Sequence, residues 1–378
     1  MKKTADKIMI AICMIFLCFF GIWIFAKPQS AFSAEENRVL STFPRLSAYG
    51  VANGEFFEDI GNFFCDQFPM RSSFTAMKAK SELLLGRYEN NGVIFGKGDY
   101  LMIRPRYENL NIFNSNIESV KSFCEKYTSE DTETAVFFAP RAVDVLVNYL
   151  PNGYSDTGSN VVWSIVNEKL PQAINANEDI RSCAGAGEYV WYKTDHHWTS
   201  LGAYECYEKV ISCFGDVPIS REILTKELVN DEFFGTVVSK SGLSDAAADE
   251  IFLLRYDNDE EYAVVNYDTG EIGNLFYFFE YLDVKDKYRV FLGGNCGRMG
   301  IYGKSSGEER ETLMIIKDSF ANSAAPFFAY NYDIEMYDLR YFDGRISEEI
   351  SRIQPDKILI LYGIDTAASD ASLGLLGR

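Results

Sequence analysis

The segment TLMIIKDSFANS, residues 312–323, joins an uninterrupted apolar run to a short polar turn and the beginning of a helix. An apolar run of this length is typical of a strand buried on both faces, as in a parallel sheet. Similar runs occur at residues 134–139, 288–292 and 357–362, and segments with helical spacing, such as 161–170 and 200–213, separate them. The sequence therefore predicts an α/β fold with a mainly parallel sheet covered by helices.

Ser319 lies at the predicted junction between strand and helix. Ligands of open α/β folds bind at the carboxyl edge of the sheet, so the serine hydroxyl would face the binding crevice. The N–H groups that begin the next helix can stabilise an oxyanion. A serine nucleophile also needs a base, and the only histidines in the chain are His196 and His197. If the base is a histidine it is one of these two, and Asp195 can orient its ring.

The same residues fit two other interpretations. A mononuclear metal site at Asp195 and His197 is the chemical alternative, although the sequence suggests no third or fourth ligand. Histidines packed in the core beside Trp198 are the structural alternative. A three-histidine metal site is excluded by the histidine count, and the cysteines form no CxxC pair. We therefore predict no metal and no cofactor.

The composition narrows the class of protein. The chain has 378 residues, 47% of them hydrophobic, so disorder does not describe it as a whole. A net charge of −19 argues against nucleic-acid binding, because neutralising phosphates needs clustered Lys and Arg. Of the eight cysteines, Cys13 and Cys18 lie in an N-terminal apolar run and the others are scattered. One or two disulfides and buried free thiols both remain open.

The N-terminus predicts a location outside the cytoplasmic membrane. Lys2, Lys3 and Lys7 precede an uncharged run at residues 8–26, which is long enough to cross a hydrocarbon core of ~30 Å. The basic flank would stay inside and the remaining chain would lie outside. We predict a single-pass membrane anchor, with a signal peptide cleaved near residues 31–34 as the alternative, which would make the protein secreted.

The chain divides into three predicted parts. Residues 1–34 contain a cytoplasmic stub, the anchor or signal peptide, and the start of a linker. Residues 35–110 form an N-terminal extension that packs on the main domain and includes a helix with an aromatic stripe at 55–65. Residues 111–378 form the main α/β domain, with a small β-rich insertion at about 227–283, where the sequence is acidic and aromatic.

Several motifs resemble those of the DHHW protein family. They are Asp195-His196-His197-Trp198 with Thr199 and Gly202, Glu36-Asn37-Arg38 with Leu40 and Pro44, Asp66-Gln67-Phe68-Pro69 with Arg71, and Lys317-Asp318-Ser319-Phe320-Ala321-Asn322. That family is similar to the SGNH hydrolase-like domains of the proteins that O-acetylate alginate outside the cytoplasmic membrane. The resemblance implies a flavodoxin-like, SGNH-like sheet and a Ser-His-Asp triad.

The resemblance makes Ser319 the nucleophile, His197 the base and Asp195 the residue that orients it. If the segment is extended, Asp195 and His197 also face the same side, which independently favours His197 over His196. The sequence departs from typical SGNH enzymes in three respects: Lys317 replaces the glycine before Asp-Ser, one residue separates Asp195 from the histidine, and the histidine motif precedes the serine.

Four further residues are predicted to bind the oxyanion or the substrate. Asn295, after Gly293 and Gly294, resembles the asparagine block of SGNH enzymes, and an ordinary loop is the alternative. Arg340 could hold an acyl carbonyl or an anionic sugar, or it could form a structural ion pair. Arg141 and Trp198 are the other candidates.

The implied function is that of an extracytoplasmic, membrane-anchored serine O-acyltransferase, in the first instance an O-acetyltransferase, or an esterase. Its substrate would be a cell-surface polysaccharide, and the resemblance implies a membrane-bound O-acyltransferase partner as acyl donor. The alternative is a catalytically inactive glycan-binding or polysaccharide-assembly protein on the same scaffold. The 23 Tyr, 29 Phe and 4 Trp residues would be enough to line a sugar groove.

Overall fold

The computed structural model of the chain describes residues 2–33, 38–107, 110–155, 159–243, 245–257, 261–303 and 310–377. Its contacts divide it into two compact units, Met1–Asn91 with Ser239–Asp245, and Gly92–Val238 with Ala246–Arg378. Glu36 and Asn37 of the N-terminal motif, and Ala34 near the predicted cleavage site, lie outside the described residues.

The smaller unit is mainly helical. Its elements are α1 (Lys2–Ala26), α2 (Ala48–Asn53), α3 (Glu55–Asp66), α4 (Arg71–Leu84), β1 (Phe32–Ser33), β2 (Arg38–Val39) and β3 (Glu89–Asn90). The helix predicted over residues 55–65 is confirmed as α3, which buries Phe63. The buried Gln67 side chain accepts from the Ser30 amide at 3.1 Å and donates to the Ser41 carbonyl at 3.0 Å. The motif at residues 66–69 therefore ties the linker to α3.

Helix α1 contains the predicted membrane segment. Thr4–Ala26 has a mean hydropathy of 2.8 and is almost entirely exposed. By length and composition this helix could cross a bilayer, either as an anchor or as a signal sequence.

The larger unit alternates strands and helices. Its elements are β4 (Val93–Phe95), β5 (Leu101–Ile103), α5 (Asn111–Tyr127), β6 (Glu133–Ala139), α6 (Ala142–Val145), α7 (Ser159–Lys169), α8 (Asn177–Gly185), α9 (Ser200–Cys213), β7 (Thr225–Phe233), α10 (Thr236–Ser241), β8 (Asp249–Arg255), β9 (Tyr262–Asn266), β10 (Glu271–Gly273), β11 (Arg298–Gly303), β12 (Thr312–Lys317), α11 (Ala321–Asn331), β13 (Asp333–Tyr337), α12 (Ile346–Ile353), β14 (Lys357–Gly363) and α13 (Ile364–Ser369).

The central sheet is mixed rather than mainly parallel. Its seven strands in the described part of the chain have the order β10-β9-β11-β13-β12-β14-β6. The pairs β13–β12, β12–β14 and β14–β6 are parallel, whereas β10–β9, β9–β11 and β11–β13 are antiparallel. The α/β class is confirmed, but the fully apolar runs predicted only β6, β12 and β14, which lie in the parallel half. Strands β9 and β10 are short and partly exposed, so they lack that signal.

Helices cover both faces of the parallel half. Val136 and Phe138 of β6 pack in a buried cluster with α5, α7 and α12. Phe137, which points the other way, faces Trp198 with ring centroids 6.1 Å apart. On that side α9 contacts both β6 and α11. The carboxyl end of β12 therefore emerges between two packed layers, and Ser319 follows it directly.

Two local predictions need correction. Residues 288–292 are not a strand: Lys287–Val290 is a turn of 3₁₀ helix, and φ is positive at Leu292, Gly293 and Gly294. A short apolar run does not distinguish a strand from a buried helical turn. The region 227–283 does contain antiparallel strands, β7 with β8 and β9 with β10, but β9 and β10 belong to the central sheet.

The eight cysteines are all free thiols in the described residues. Of the two alternatives left open by the sequence, the structure therefore contains the free thiols.

Candidate active site

Ser319 lies in the turn between β12 and α11. The preceding residue, Asp318, is fully buried, and its carboxylate accepts from the Phe320 amide at 3.0 Å and the Gly363 amide at 2.8 Å. These bonds hold the turn against the end of β14. The backbone N–H of Ser319 donates to no group in the part of the chain that the structure describes, so it is available to a ligand.

His197 links Ser319 to Asp195. Its Nδ1 lies 2.6 Å from Asp195 Oδ1, and its Nε2 lies 2.7 Å from Ser319 Oγ. A carboxylate can only accept, so Nδ1 carries the proton and Nε2 is left to accept from the serine hydroxyl. The structure thus brings together the three residues that the sequence analysis singled out, and it brings His197 rather than His196 to the serine.

Asp195 is buried and yet held as a carboxylate. Burial alone would raise its pKa, but the neighbouring histidines and the hydrogen bonds from His197 and the Thr236 amide outweigh burial and lower the pKa. The second carboxylate oxygen accepts from the Thr236 amide at 2.8 Å and from its hydroxyl at 3.2 Å. Gly235 makes this approach feasible, because a Cβ there would lie 2.3 Å from the Asp195 Cβ.

The imidazole of His197 is clamped between two rings. Tyr288 stacks on one side with centroids 3.9 Å apart and planes 5° apart. His196 packs with its centroid 3.8 Å away, and its Nδ1 lies 2.9 Å from Thr236 Oγ1. This clamp leaves His197 little freedom to rotate away from Ser319 and Asp195.

Trp198 does not fit the predicted contact with substrate, because its side chain is fully buried. The indole N–H donates to Ser323 Oγ at 2.9 Å and to the Phe320 carbonyl at 3.2 Å. Trp198 therefore supports the first turn of α11 from beneath.

Asn295 lies beside the serine turn. Its Oδ1 accepts from Lys317 Nζ and from Asn322 Nδ2, each at 3.1 Å. Lys317 and Asn322 flank Ser319 in the chain, and both are almost completely buried, whereas Asn295 is exposed. The structure thus places Asn295 against the two residues that frame the serine turn.

The two arginines are engaged in ion pairs. Arg340 forms a bidentate pair with the buried Asp338, at 2.8 and 2.6 Å. Arg141 pairs with Asp144 at 2.9 Å and is itself buried. Both form ion pairs of the kind that the sequence analysis gave as the alternative for Arg340, and their contact with substrate stays a prediction.

Arg141 also lines a small pocket of about 90 Å³ beside the site. Apolar residues such as Leu101, Ile103 and Val237 form part of its wall, and His196 and Phe320 border it. Phe320 follows Ser319 directly in the chain, so the pocket lies next to the serine turn and could receive a small part of a substrate.

Sequence reasoning missed three residues that shape the site. Thr236 binds both Asp195 and His196, and Tyr288 stacks on His197. Asp249 of β8 accepts from the Lys193 and Thr194 amides, each at 2.7 Å, and so fixes the backbone just before Asp195. Each is far from the motif in sequence, and no local pattern could have identified it.

Two groups in the described residues have ligand atoms close enough to hold a metal ion: Asp195 with His196 and His197, and Cys183 with Glu188 and Glu205. In the first group both ring nitrogens of His197 are used in hydrogen bonds, so a metal would have to replace Asp195 or Ser319 as a partner. The second group is partly neutralised by Arg221, which pairs with Glu188 at 3.1 Å.

Comparisons with known proteins agree with the resemblance drawn from the motifs. Residues 161–338 match the family of DHHW proteins. The matched segment includes the motif at residues 195–198 and the serine turn. The fold is similar to the crystal structure of a DHHW family protein from Eubacterium siraeum, with a TM-score of 0.63 and 21% identity over 76% of this chain and 95% of that one.

Bacillus cereus PatB1, solved with a sulfonyl adduct, has a TM-score of 0.61 and 18% identity over 75% of this chain and 99% of that one. The O-acetyltransferase domain of Pseudomonas putida AlgJ is more distant, with a TM-score of 0.46 and 12% identity over 74% of this chain and 93% of that one. Comparison with curated protein sequences finds no match. At these identities the likeness to the Eubacterium siraeum and Bacillus cereus structures shows the fold, and any function has to be argued from the site.

Proposed function

The central residues 161–338 match the DHHW protein family, and from this premise we propose that the protein is an SGNH-like serine O-acyltransferase or esterase that acts on a cell-surface polysaccharide. The observation that carries the proposal is the continuous hydrogen-bond chain from Ser319 through His197 to Asp195. The nucleophile and the orienting carboxylate each lie within hydrogen-bonding distance of the base, which is the arrangement that serine acyl transfer needs.

In the first half-reaction the Ser319 oxygen attacks the carbonyl carbon of an acyl ester while its proton moves to His197 Nε2. The carbonyl oxygen becomes an oxyanion in the tetrahedral intermediate. Collapse breaks the bond between the acyl carbon and the alcohol oxygen, and the alcohol leaves with the proton from His197. Asp195 stabilises the imidazolium while it carries that proton, and an acyl ester on Ser319 remains.

Two donors are proposed to stabilise the oxyanion. The backbone N–H of Ser319 lies in the turn just before α11, where the helix end is partially positive. The side-chain amide of Asn295 supplies the second donor. Removing one such donor from a serine enzyme typically costs about 10²–10³-fold in kcat.

In the second half-reaction an acceptor hydroxyl gives its proton to His197, attacks the acyl carbon and releases Ser319. A sugar hydroxyl makes the protein a transferase, and water makes it an esterase. The two outcomes differ in acceptor access and exclusion of water, not in the triad. We propose the transferase, with the pocket bordered by His196 and Phe320 as one place for the acceptor.

The proposed location rests on the N-terminal segment. We propose that α1 anchors the chain in the membrane, with residues 35–110 as an extension and residues 111–378 as the catalytic domain outside the cell. Acetyl-CoA is confined to the cytoplasm, so a membrane-bound O-acyltransferase partner would supply the acyl group.

The proposal is tested by incubating the purified protein with a chromogenic acetyl ester. We expect turnover that falls by at least about 10³-fold in Ser319→Ala. Ser347→Ala, which changes a serine elsewhere in the unit, should retain full activity. Turnover that survives in Ser319→Ala would disprove the proposal. Addition of an oligosaccharide acceptor should divert acetyl groups from water to sugar, which mass spectrometry of the sugar would detect.

A further inference from the structure

Lys317 is an unusual residue to find two positions before a nucleophile. Only 2% of its side chain is exposed, and it stands where typical SGNH enzymes have a glycine. An ammonium group placed in a protein interior must be paired or hydrogen-bonded to be tolerated. Burial lowers the pKa of Lys317, and the nearby Asp338 opposes this effect. Because burying the Lys317 ammonium is unfavourable, we expect this group to have a role in the site.

The Lys317 ammonium bridges two amide side chains. It donates to Asn322 Oδ1 at 2.7 Å and to Asn295 Oδ1 at 3.1 Å. Asn322 Nδ2 in turn donates to the same Asn295 oxygen at 3.1 Å. We call Lys317, Asn322 and Asn295 the amide cluster.

The chemistry of the ammonium fixes the orientation of both amides. Lysine can only donate, so the atom of each asparagine that faces it must be the oxygen. With its oxygen held by two donors, the Asn295 amide has its NH₂ group on the opposite side. That NH₂ group donates to no residue in the described part of the chain, and it belongs to an exposed side chain.

The amide cluster lies among compensated charges. Asp338 lies 3.9 Å from Lys317 and is paired in bidentate fashion with Arg340. The buried Asp318 carboxylate also acts on both cations. The two cations are therefore balanced by two carboxylates, and the Lys317 ammonium uses its hydrogen bonds to hold the two amide oxygens.

We propose that Lys317 and Asn322 are positioning residues, which lock the Asn295 amide so that its NH₂ group serves as the second oxyanion donor. The inference rests on the proposed serine mechanism and adds to it the means by which the oxyanion site is built. Under this proposal, Lys317 replaces the glycine of typical SGNH enzymes because its buried ammonium orients the Asn295 amide.

A double-mutant cycle tests the inference, using the full chain and the chromogenic acetyl ester. Asn295→Ala should lower kcat by about 10²-fold with little change in KM, and Lys317→Met by about 10- to 10²-fold. The double variant should be no more than about threefold slower than Asn295→Ala alone, because Lys317 acts through Asn295. Losses that multiply would overturn the inference.

A second readout is the rate at which a sulfonyl fluoride inactivates the protein. The Ser319 oxygen forms a bond to sulfur, fluoride leaves, and His197 takes the proton, so the reaction reports on the serine without needing the natural donor. The inactivation rates should show the same lack of additivity as kcat. If the sulfonyl fluoride inactivates the Lys317→Met variant as fast as the unchanged protein, the positioning role is contradicted.

Lys357→Met is the matched control. Lys357 is also a buried lysine of the central sheet, but it begins β14 at the opposite edge and pairs with Glu311 at 2.5 Å. It should lose thermal stability without a selective loss of kcat. If Lys317→Met does not fold, Asn322→Ala takes its place in the cycle with the same expectation. Ser319→Ala, measured in parallel, separates the serine mechanism from the positioning role. If Ser319→Ala is inactive while the losses in the double-mutant cycle are additive, only the positioning role fails.

Discussion

At the scale of single residues, the neighbouring histidines differ in what their ring nitrogens contact. Both nitrogens of His197 are engaged, one by Asp195 and one by Ser319. His196 uses Nδ1 to contact Thr236, and 37% of its side chain is exposed. His197 is therefore the proposed base, and His196 is one of the two rings that clamp it.

Replacing each histidine by glutamine should separate these roles. We expect His197→Gln to lower kcat for the acetyl ester by at least about 10³-fold, because no group remains to take the serine proton. His196→Gln removes one hydrogen bond and one ring contact, which together contribute about 1 kcal/mol. The kcat of this variant should therefore fall by less than about tenfold. Steady-state kinetics on the two variants measure the difference, and equal losses would contradict the assignment of the base.

Asp195 should make stability depend on pH in a defined direction. Its pKa is lowered in the folded state, so the unfolded chain binds more protons and the carboxylate stabilises the fold above its unfolded pKa of about 3.9. That contribution is lost as the pH falls below this value.

The gap in unfolding free energy between the unchanged protein and Asp195→Asn should therefore be largest near neutral pH and shrink on acidification. Urea unfolding between pH 3 and 7 measures it, and a gap that does not change with pH would show that the charge is unimportant. The same variant should lose about 10²–10⁴-fold in kcat, since the imidazole is no longer oriented.

At the scale of elements, the turns rather than the strands decide where the site residues lie. After the 3₁₀ turn Lys287–Val290, the backbone has positive φ at three successive residues, of which Leu292 is not a glycine. This path sets Tyr288 against His197 and delivers Asn295 to the amide cluster. A straight strand over residues 288–292 would have carried the chain elsewhere.

The turn between β7 and α10 offers an element-scale prediction. In Gly235→Ala the new Cβ would lie 2.3 Å from the Asp195 Cβ and 2.6 Å from its Cα, so one of the two segments must move. A displacement of about 1 Å can cost about 10²-fold in rate. We expect that loss in kcat, together with a lower Tm.

Gly273→Ala in β10 is the control, because nothing lies within 4 Å of its Cβ position. It should leave kcat and Tm nearly unchanged. Full activity in Gly235→Ala would mean that Asp195 does not need its present position.

At the scale of the whole molecule, the proposed location outside the cytoplasmic membrane rests on the N-terminal helix α1. Expressed in a bacterial cell, the full chain should stay in the membrane fraction after alkaline extraction, and protease added outside spheroplasts should digest the body. Its intact mass should include residues 1–34 if α1 is an anchor. A mature chain that begins near residues 31–34 would identify a signal peptide, and a body protected from external protease would refute the extracytoplasmic location.

The parts of this molecule that the sequence determined by itself are those that depend on local pattern. Strands β6, β12 and β14 follow from uninterrupted apolar runs, and α9 from its spacing and its start after Thr199. The histidine count alone restricted a histidine base to two neighbours. These features need no knowledge of distant contacts, because burial on both faces and helical periodicity are written into consecutive residues.

Only the tertiary structure decided what depends on residues far apart in the chain. It brought His197, which the sequence already favoured over His196, into contact with Ser319 across 122 residues of sequence, and it joined Asn295 to Lys317 and Asn322. It also added an antiparallel half to the sheet through short, partly exposed strands. Hydrogen bonds of this kind form only after packing brings their partners together, so no local sequence pattern records them.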